Sequence, residues 1–254
     1  MPVFFKSFAV ALATAKITAY TMTKKIGLIG GLGPEATVDY YNRIIDIFKE
    51  ENQGNLDYPD IIIYSVNLSR LLAHMKRKEF EEARAYLSGK IEALEKAGAQ
   101  MVALTANTPH LLFDAINAHA KVPMISIVEA TAREAKRLGI TRAGLLGTRF
   151  TMEERFFHDV FGKSSIDVVS PVAEDIETIH HLLFTEIELG IFKDETRKKL
   201  VEIIEKMKRE NGIDGIILGC TEFPLILTEN NYAGLPVLNT TAIHVNEIVQ
   251  WYKS

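Results

Sequence analysis

The chain has 254 residues, of which 47% are hydrophobic and 24% charged, with a formal net charge of −4. That balance excludes a disordered chain and gives no basic surface for nucleic acid or an anionic membrane. A single cysteine, Cys220, excludes an intramolecular disulfide, and no zinc-type ligand spacing is present, so no metal and a reducing, cytoplasmic setting are expected.

Residues 1–23 read as an N-terminal extension. Their apolar run, Phe8-Ala9-Val10-Ala11-Leu12-Ala13, is too short to span a bilayer, and Met22 stands directly before the first strand-like segment. Lys25–Gly30 is a short apolar run ending in glycine, the pattern of a buried parallel strand. Gly31-Leu32-Gly33 then turns the chain, and Pro34 suits the first position of a helix through about residue 49. Asp60–Ser65 is a β-branched strand, followed by a polar loop through Asn67, Ser69 and Arg70. A helix over 79–97 is closed by Gly98. A third strand over 100–105 ends in Ala106-Asn107-Thr108-Pro109-His110, before a helix over 109–119, a strand over 122–126 and a helix over 129–138.

The second half restarts with a strand at Arg142–Gly147, then Thr148 and a helix to Phe161. A strand near 166–169 and helices near 174–189 and 194–211 follow. The strand over 213–218 stops at Gly219-Cys220-Thr221-Glu222; a mixed segment through Tyr232, a strand over 236–239 and a helix to Trp251 complete the chain. Strands alternating with helices predict an α/β protein with parallel sheets.

The halves also repeat. Gly27-Leu28-Ile29-Gly30 matches Gly144-Leu145-Leu146-Gly147 at an offset of 117 residues. The strands ending at Leu104 and Leu218 match at 114, and those beginning at Pro123 and Pro236 at 113. Nearly constant spacing in the same order predicts two pseudo-symmetric lobes with strand ends facing one cleft. In this register Cys220 falls on Ala106, Thr221 on Asn107 and Gly31 on Thr148.

A free cysteine is usually a small buried hydrophobe. Cys220, however, sits at the carboxyl end of a strand, where open α/β sheets place their ligands. A cysteine nucleophile needs a base, often His; His110 lies four residues after Ala106, but the matching position after Cys220 is Pro224. Proton transfer suits the symmetry better, with one acid/base group from each lobe and a thiol pKa lowered by turn N–H groups and a helix N-terminus. The Gly31–Ala36 segment satisfies G-x-G-x-x-A, yet the second strand ends Tyr64-Ser65-Val66-Asn67 without the acid that holds a ribose, so no dinucleotide is expected. The glycine turn fits a small carboxylate instead. His180-His181, in mid-helix, reads as packing or surface rather than a metal site.

Four motifs together resemble the cofactor-independent aspartate/glutamate racemase superfamily, its aspartate racemase branch in particular. They are Gly30-Gly31-Leu32-Gly33-Pro34-Glu35-Ala36-Thr37, Ala106-Asn107-Thr108-Pro109-His110, Leu146-Gly147-Thr148 and Gly219-Cys220-Thr221-Glu222. The resemblance implies two α/β lobes that exchange their last strands, one of 24–119 plus 236–254 and one of 120–235, and a homodimer. It implies Cα proton transfer on a small carboxylate or amino acid without pyridoxal phosphate or any other cofactor. Cys220 carries over as the catalytic thiol, with Thr221 and Glu222 beside it; Gly33, Arg70, Asn107, Thr108 and Thr148 carry over as substrate-binding residues. The second cysteine of the pattern is Ala106 here, and the position of a substrate-binding lysine falls in Glu186-Ile187-Glu188-Leu189-Gly190, which has no cation. Three outcomes stay open: racemisation with a substitute donor (Thr105, Thr108, water or His110), a one-thiol enzyme acting on one face of a carbanion as arylmalonate decarboxylases do, and a non-catalytic carboxylate binder.

Overall fold

The computed structural model describes residues 24–53 and 55–254; the extension inferred for residues 1–23 lies outside the described residues. The first half runs β1 (Lys25–Gly30), α1 (Pro34–Glu51), β2 (Asp60–Ser65), α2 (Leu68–Lys76), α3 (Phe80–Lys96) and β3 (Met101–Leu104). A 3-10 turn (Thr108–Leu112), α4 (Phe113–Asn117), β4 (Met124–Ile125) and α5 (Ile127–Arg137) follow. The second half runs β5 (Arg142–Gly147), α6 (Arg149–Glu153), α7 (Phe156–Gly162), β6 (Asp167–Val169), α8 (Ala173–Thr185) and a 3-10 turn (Ile187–Leu189). It ends with α9 (Asp194–Asn211), β7 (Gly215–Gly219), α10 (Phe223–Ile226), β8 (Asn231–Tyr232), β9 (Leu235–Asn239) and α11 (Thr240–Lys253). No described helix is long and apolar enough to cross a membrane.

Two sheets form, in the orders β2-β1-β3-β4 and β6-β5-β7-β9-β8. All pairings are parallel except the two-residue β8–β9 contact. The central strands are buried along their length because helices cover both faces, which is why β1, β3, β5 and β7 read as unbroken apolar runs rather than alternating ones.

The lobe boundaries differ from those expected. Strands are not exchanged: β4 pairs with β3 in the first sheet, and β9 pairs with β7 in the second. The helices cross instead. Val245, Ile248 and Val249 of α11 join Ile26, Tyr40 and Met101 in a core on the first sheet, whereas Ile127, Val128 and Ala135 of α5 join the core of the second. The crossing is possible because Ser126 and Asn239 end their strands and cap the next helices, accepting from Glu129 N and Ala242 N. His244 pins α11 in place. Its Nδ1 lies 2.8 Å from the Tyr40 hydroxyl on α1 and its Nε2 2.9 Å from the Ile125 carbonyl on β4.

One local expectation also changes. The segment through Asn67, Ser69 and Arg70 is a helix, α2, because the Asn67 side chain accepts from Arg70 N and Leu71 and Met75 present a buried stripe.

Candidate active site

The carboxyl ends of β1, β3, β5 and β7 converge on one cleft between the lobes. Cys220 is the first residue beyond β7 and is 5% exposed. Its thiol donates to Glu222 Oε2 at 3.0 Å, and Glu188 Oε1 lies 3.9 Å from the same sulfur. Thr221 donates to Glu222 Oε2 at 3.1 Å, whereas Oε1 of Glu222 is buried without a hydrogen-bond partner. Opposite this carboxylate stands Gly33. A Cβ at that position would come 1.8 Å from Glu222 Oε1, so any other residue there would displace the Glu222 carboxyl.

The expectation of an activated thiol is overturned. Burial raises the Cys220 pKa first, and the charges of Glu222 and Glu188 raise it further. Both carboxyls move the same way: burial lifts Glu222 above the ordinary carboxylate range, and burial plus the Glu222 charge lifts Glu188 to about 8. Burial and the proximity of the three groups thus oppose charge on each of them. Among the described residues they are also the one set of three His, Cys, Asp or Glu side chains whose ligand atoms could share a metal ion, all lying within 4.8 Å of one another.

The first lobe presents different chemistry. Ala106, the pseudo-symmetric partner of Cys220, lines a small cavity of about 40 Å³. Leu32, Leu71, Met75 and Phe184 make its apolar walls, Thr108 and Thr148 supply hydroxyls, and Glu188 is the charged lining residue. Cys220 is not part of the cavity wall; its sulfur lies 3.9 Å from Glu188 Oε1. A wider mouth of about 400 Å³ continues outward past Leu72, Thr108 and Thr148 to Lys76 and Arg149. Thr108 bridges the lobes, with Thr148 and Thr151 hydroxyls at 3.3 and 3.2 Å, while the Thr148 side chain caps α6 by accepting from Thr151 N.

Most residues singled out from the sequence meet here: Gly33, Thr108, Thr148, Cys220, Thr221 and Glu222. Asn107 is buried beside them, donating to Thr240 Oγ1 at 3.1 Å and keeping an unpartnered Oδ1. Arg70 is not among them; it is exposed and lies over the Tyr86 ring, 4.8 Å from its centroid. Of the N–H groups in the glycine turn expected to meet a carboxylate, that of Gly31 is taken, donating to Thr37 Oγ1. Two of the substitute proton donors are also occupied. His110 has Nδ1 2.8 Å from the Ala106 carbonyl and Nε2 accepting from Ile127 N, and burial lowers its pKa to about 3. Thr105 donates to the Ile29 carbonyl.

Glu188 was missed. The signal lay in the 186–190 register, where a cation is absent and two glutamates stand. Glu186 turns away to Lys193 and Thr196, leaving Glu188 to face the thiol.

The Asp/Glu/hydantoin racemase family model matches residues 29–248. The chain belongs to this family. It is 25% identical to a broad-specificity amino-acid racemase of Bacillus subtilis strain 168 over 229 residues, 89% of this chain and 97% of that one. An aspartate racemase homologue from Pyrococcus horikoshii OT3 is 35% identical and superimposes with a TM-score of 0.78, covering 91% of this chain and 100% of the other. A mutant of arylmalonate decarboxylase shares the fold alone, at 15% identity and a TM-score of 0.54, covering 91% of this chain and 94% of the other.

Proposed function

We propose that this protein is an amino-acid racemase-type isomerase that transfers a proton at Cα without pyridoxal phosphate, with Cys220 as the acid/base residue. The observation that supports this reading is the buried Cys220–Glu222 pair at 3.0 Å, aligned so that Glu222, in its ionised form, can take the thiol proton. The thiolate then takes the Cα proton, and the carbanion is reprotonated from the pair or from the opposite wall, so no proton is lost overall. Thr108 and Thr148 line the place a substrate carboxylate would occupy, with the unpartnered Oδ1 of the buried Asn107 next to Thr108 in the chain. Cys220 is 5% exposed, so side chains around it, Glu188 at 3.9 Å among them, must shift for Cα to reach the sulfur.

A second reading is favoured by Ala106 and the tied His110: exchange from one face only, with slow inversion through Thr108 or water. Incubating the amino acids in heavy water separates these. Deuterium entry at Cα matched by loss of configuration supports racemisation, and entry with retention supports one-face chemistry. The Cys220→Ser variant is expected to lose exchange by about 10³-fold. Absence of exchange with any amino acid tested, or full exchange in Cys220→Ser, defeats the proposal.

A further inference from the structure

We infer that the amino acid this cleft selects carries a second ammonium group on a short methylene side chain, held by Glu188. The inference rests on the proposed Cα chemistry and names its substrate class.

Charge balance leads to it. Glu188, with its Oε1 3.9 Å from Cys220 Sγ, is the charged side chain lining the cavity among the described residues; its neighbours there are apolar or hydroxylic. The titratable groups around it are Cys220, Glu222 and, further off, Glu35. No lysine or arginine bonds to Glu188 or Glu222 among the described residues. Glu222 Oε1, 1% exposed at the residue level, is an acceptor without a donor in the same cluster. An ordinary zwitterion brings one ammonium and one carboxylate, so it leaves Glu188 and Glu222 without a cation to favour their ionised forms. A side-chain carboxylate adds a further acid to that cluster, and Lys76 and Arg149 stand in the outer mouth rather than beside it. A second ammonium gives Glu188 the partner it lacks.

The shape agrees. Glu188 lies on the 3-10 turn Ile187–Leu189, which ends at Gly190 with φ of 71°, a left-handed residue that lets the turn reverse at once. The turn therefore presents Glu188 alone, and Leu32, Leu71 and Met75 supply an apolar wall for methylenes. In the empty cleft Glu188 keeps its proton up to about pH 8. A bound ammonium favours the ionised carboxylate, so binding near neutral pH releases that proton.

Titration calorimetry on the whole protein tests this with L-ornithine, L-2,4-diaminobutyrate, L-norvaline and L-glutamate. The better of the two diamino acids is expected to bind about tenfold more tightly than norvaline, and glutamate weakest. Repeating the titration in buffers of different ionisation enthalpy should show proton release with the diamino acid and none with norvaline. Glu188→Gln should erase the gap between diamino acid and norvaline, and Glu188→Asp should restore part of it, with thermal melts showing that both variants fold. The inference is overturned if norvaline or glutamate binds as tightly as the diamino acids, if the gap survives Glu188→Gln, or if Zn²⁺ binds the cluster and no amino acid does. Heavy-water exchange on the same samples separates this from the proposed chemistry. Diamino acid binding without exchange sinks the racemase reading and leaves the inference standing; exchange fastest with norvaline or glutamate does the reverse.

Discussion

The two strand ends that meet in the cleft occupy equivalent places in their lobes and carry opposite chemistry. After β7 come a thiol and a buried carboxylate 3.0 Å apart; after β3 come the Ala106 methyl and the Thr108 hydroxyl, which bonds across to Thr148 and Thr151. One side can hold and move a proton. The other can orient a substrate and tie the lobes together. The comparison teaches that the pseudo-symmetric backbone fixes where reactive groups can stand, whereas, in the proposed reaction, the side chains at two positions decide whether one face or both faces of Cα are served.

The largest expected effect comes from erasing the difference. Ala106→Cys places a second thiol across from Cys220, and racemisation should rise by about 10²-fold over the parent chain, measured as inversion of an amino acid that exchanges. No gain would show that the two strand ends are not equivalent about the substrate.

A smaller effect separates the carboxylates from the thiol. Glu188 is raised from 4.5 to about 8, so the folded chain holds a proton that the unfolded chain releases across that window. Stability contributed by that retained proton is present below pH 4.5 and is lost as pH rises toward 8. Glu188→Gln removes this loss. Its melting temperature should exceed the parent's by about 2–4 °C at pH 8 and match it near pH 4, the shift expected for ~1 kcal/mol in a chain of this size. The same variant should alkylate faster at Cys220, because one of the charges that raise the thiol is gone. A flat difference across pH would place the proton elsewhere.

The smallest effect lies in the first lobe. Thr108→Val removes one hydroxyl from the bridge to Thr148 and Thr151 and should cost about 0.5–1 kcal/mol in denaturant unfolding. Exchange should fall by no more than the lost substrate contact, far less than in Cys220→Ser, since the thiol pair is untouched. A loss of exchange as large as that of Cys220→Ser would instead make Thr108 a proton carrier.

Much of this was legible in the sequence, and the failures share a cause. Apolar runs at Lys25–Gly30 and Arg142–Gly147, and the strand leading to Cys220, announced buried parallel strands, and the family motifs identified the cleft residues. Helix α2 was hidden because its buried stripe is short and lies among polar residues, with only the Asn67 cap as a local mark. The direction of the thiol shift was misjudged because burial and two nearby carboxylates are tertiary facts. Linear spacing shows Glu222 two residues from Cys220 but not Glu188, which lies 32 residues away. Arg70 was misplaced for a related reason: the face of a helix that looks toward a cleft depends on packing, and here that face belongs to Leu71 and Met75.

The crossing of α5 and α11 ties the first lobe to the order in which the chain is made. The sheet β2-β1-β3-β4 is complete once residue 125 has emerged, yet the core that α1 builds on one of its faces lacks Val245, Ile248 and Val249 until helix 240–253 arrives. Tyr40 and the Ile125 carbonyl wait for His244 through the whole synthesis of the second lobe. Chains halted before residue 240 should therefore remain sensitive to protease in the first lobe while the second lobe resists. Equal resistance of both lobes in halted chains would contradict this. Because residues 240–253 pack against residues 26–48, a chain halted short of them carries Cys220 before the lobe that faces it is fully packed.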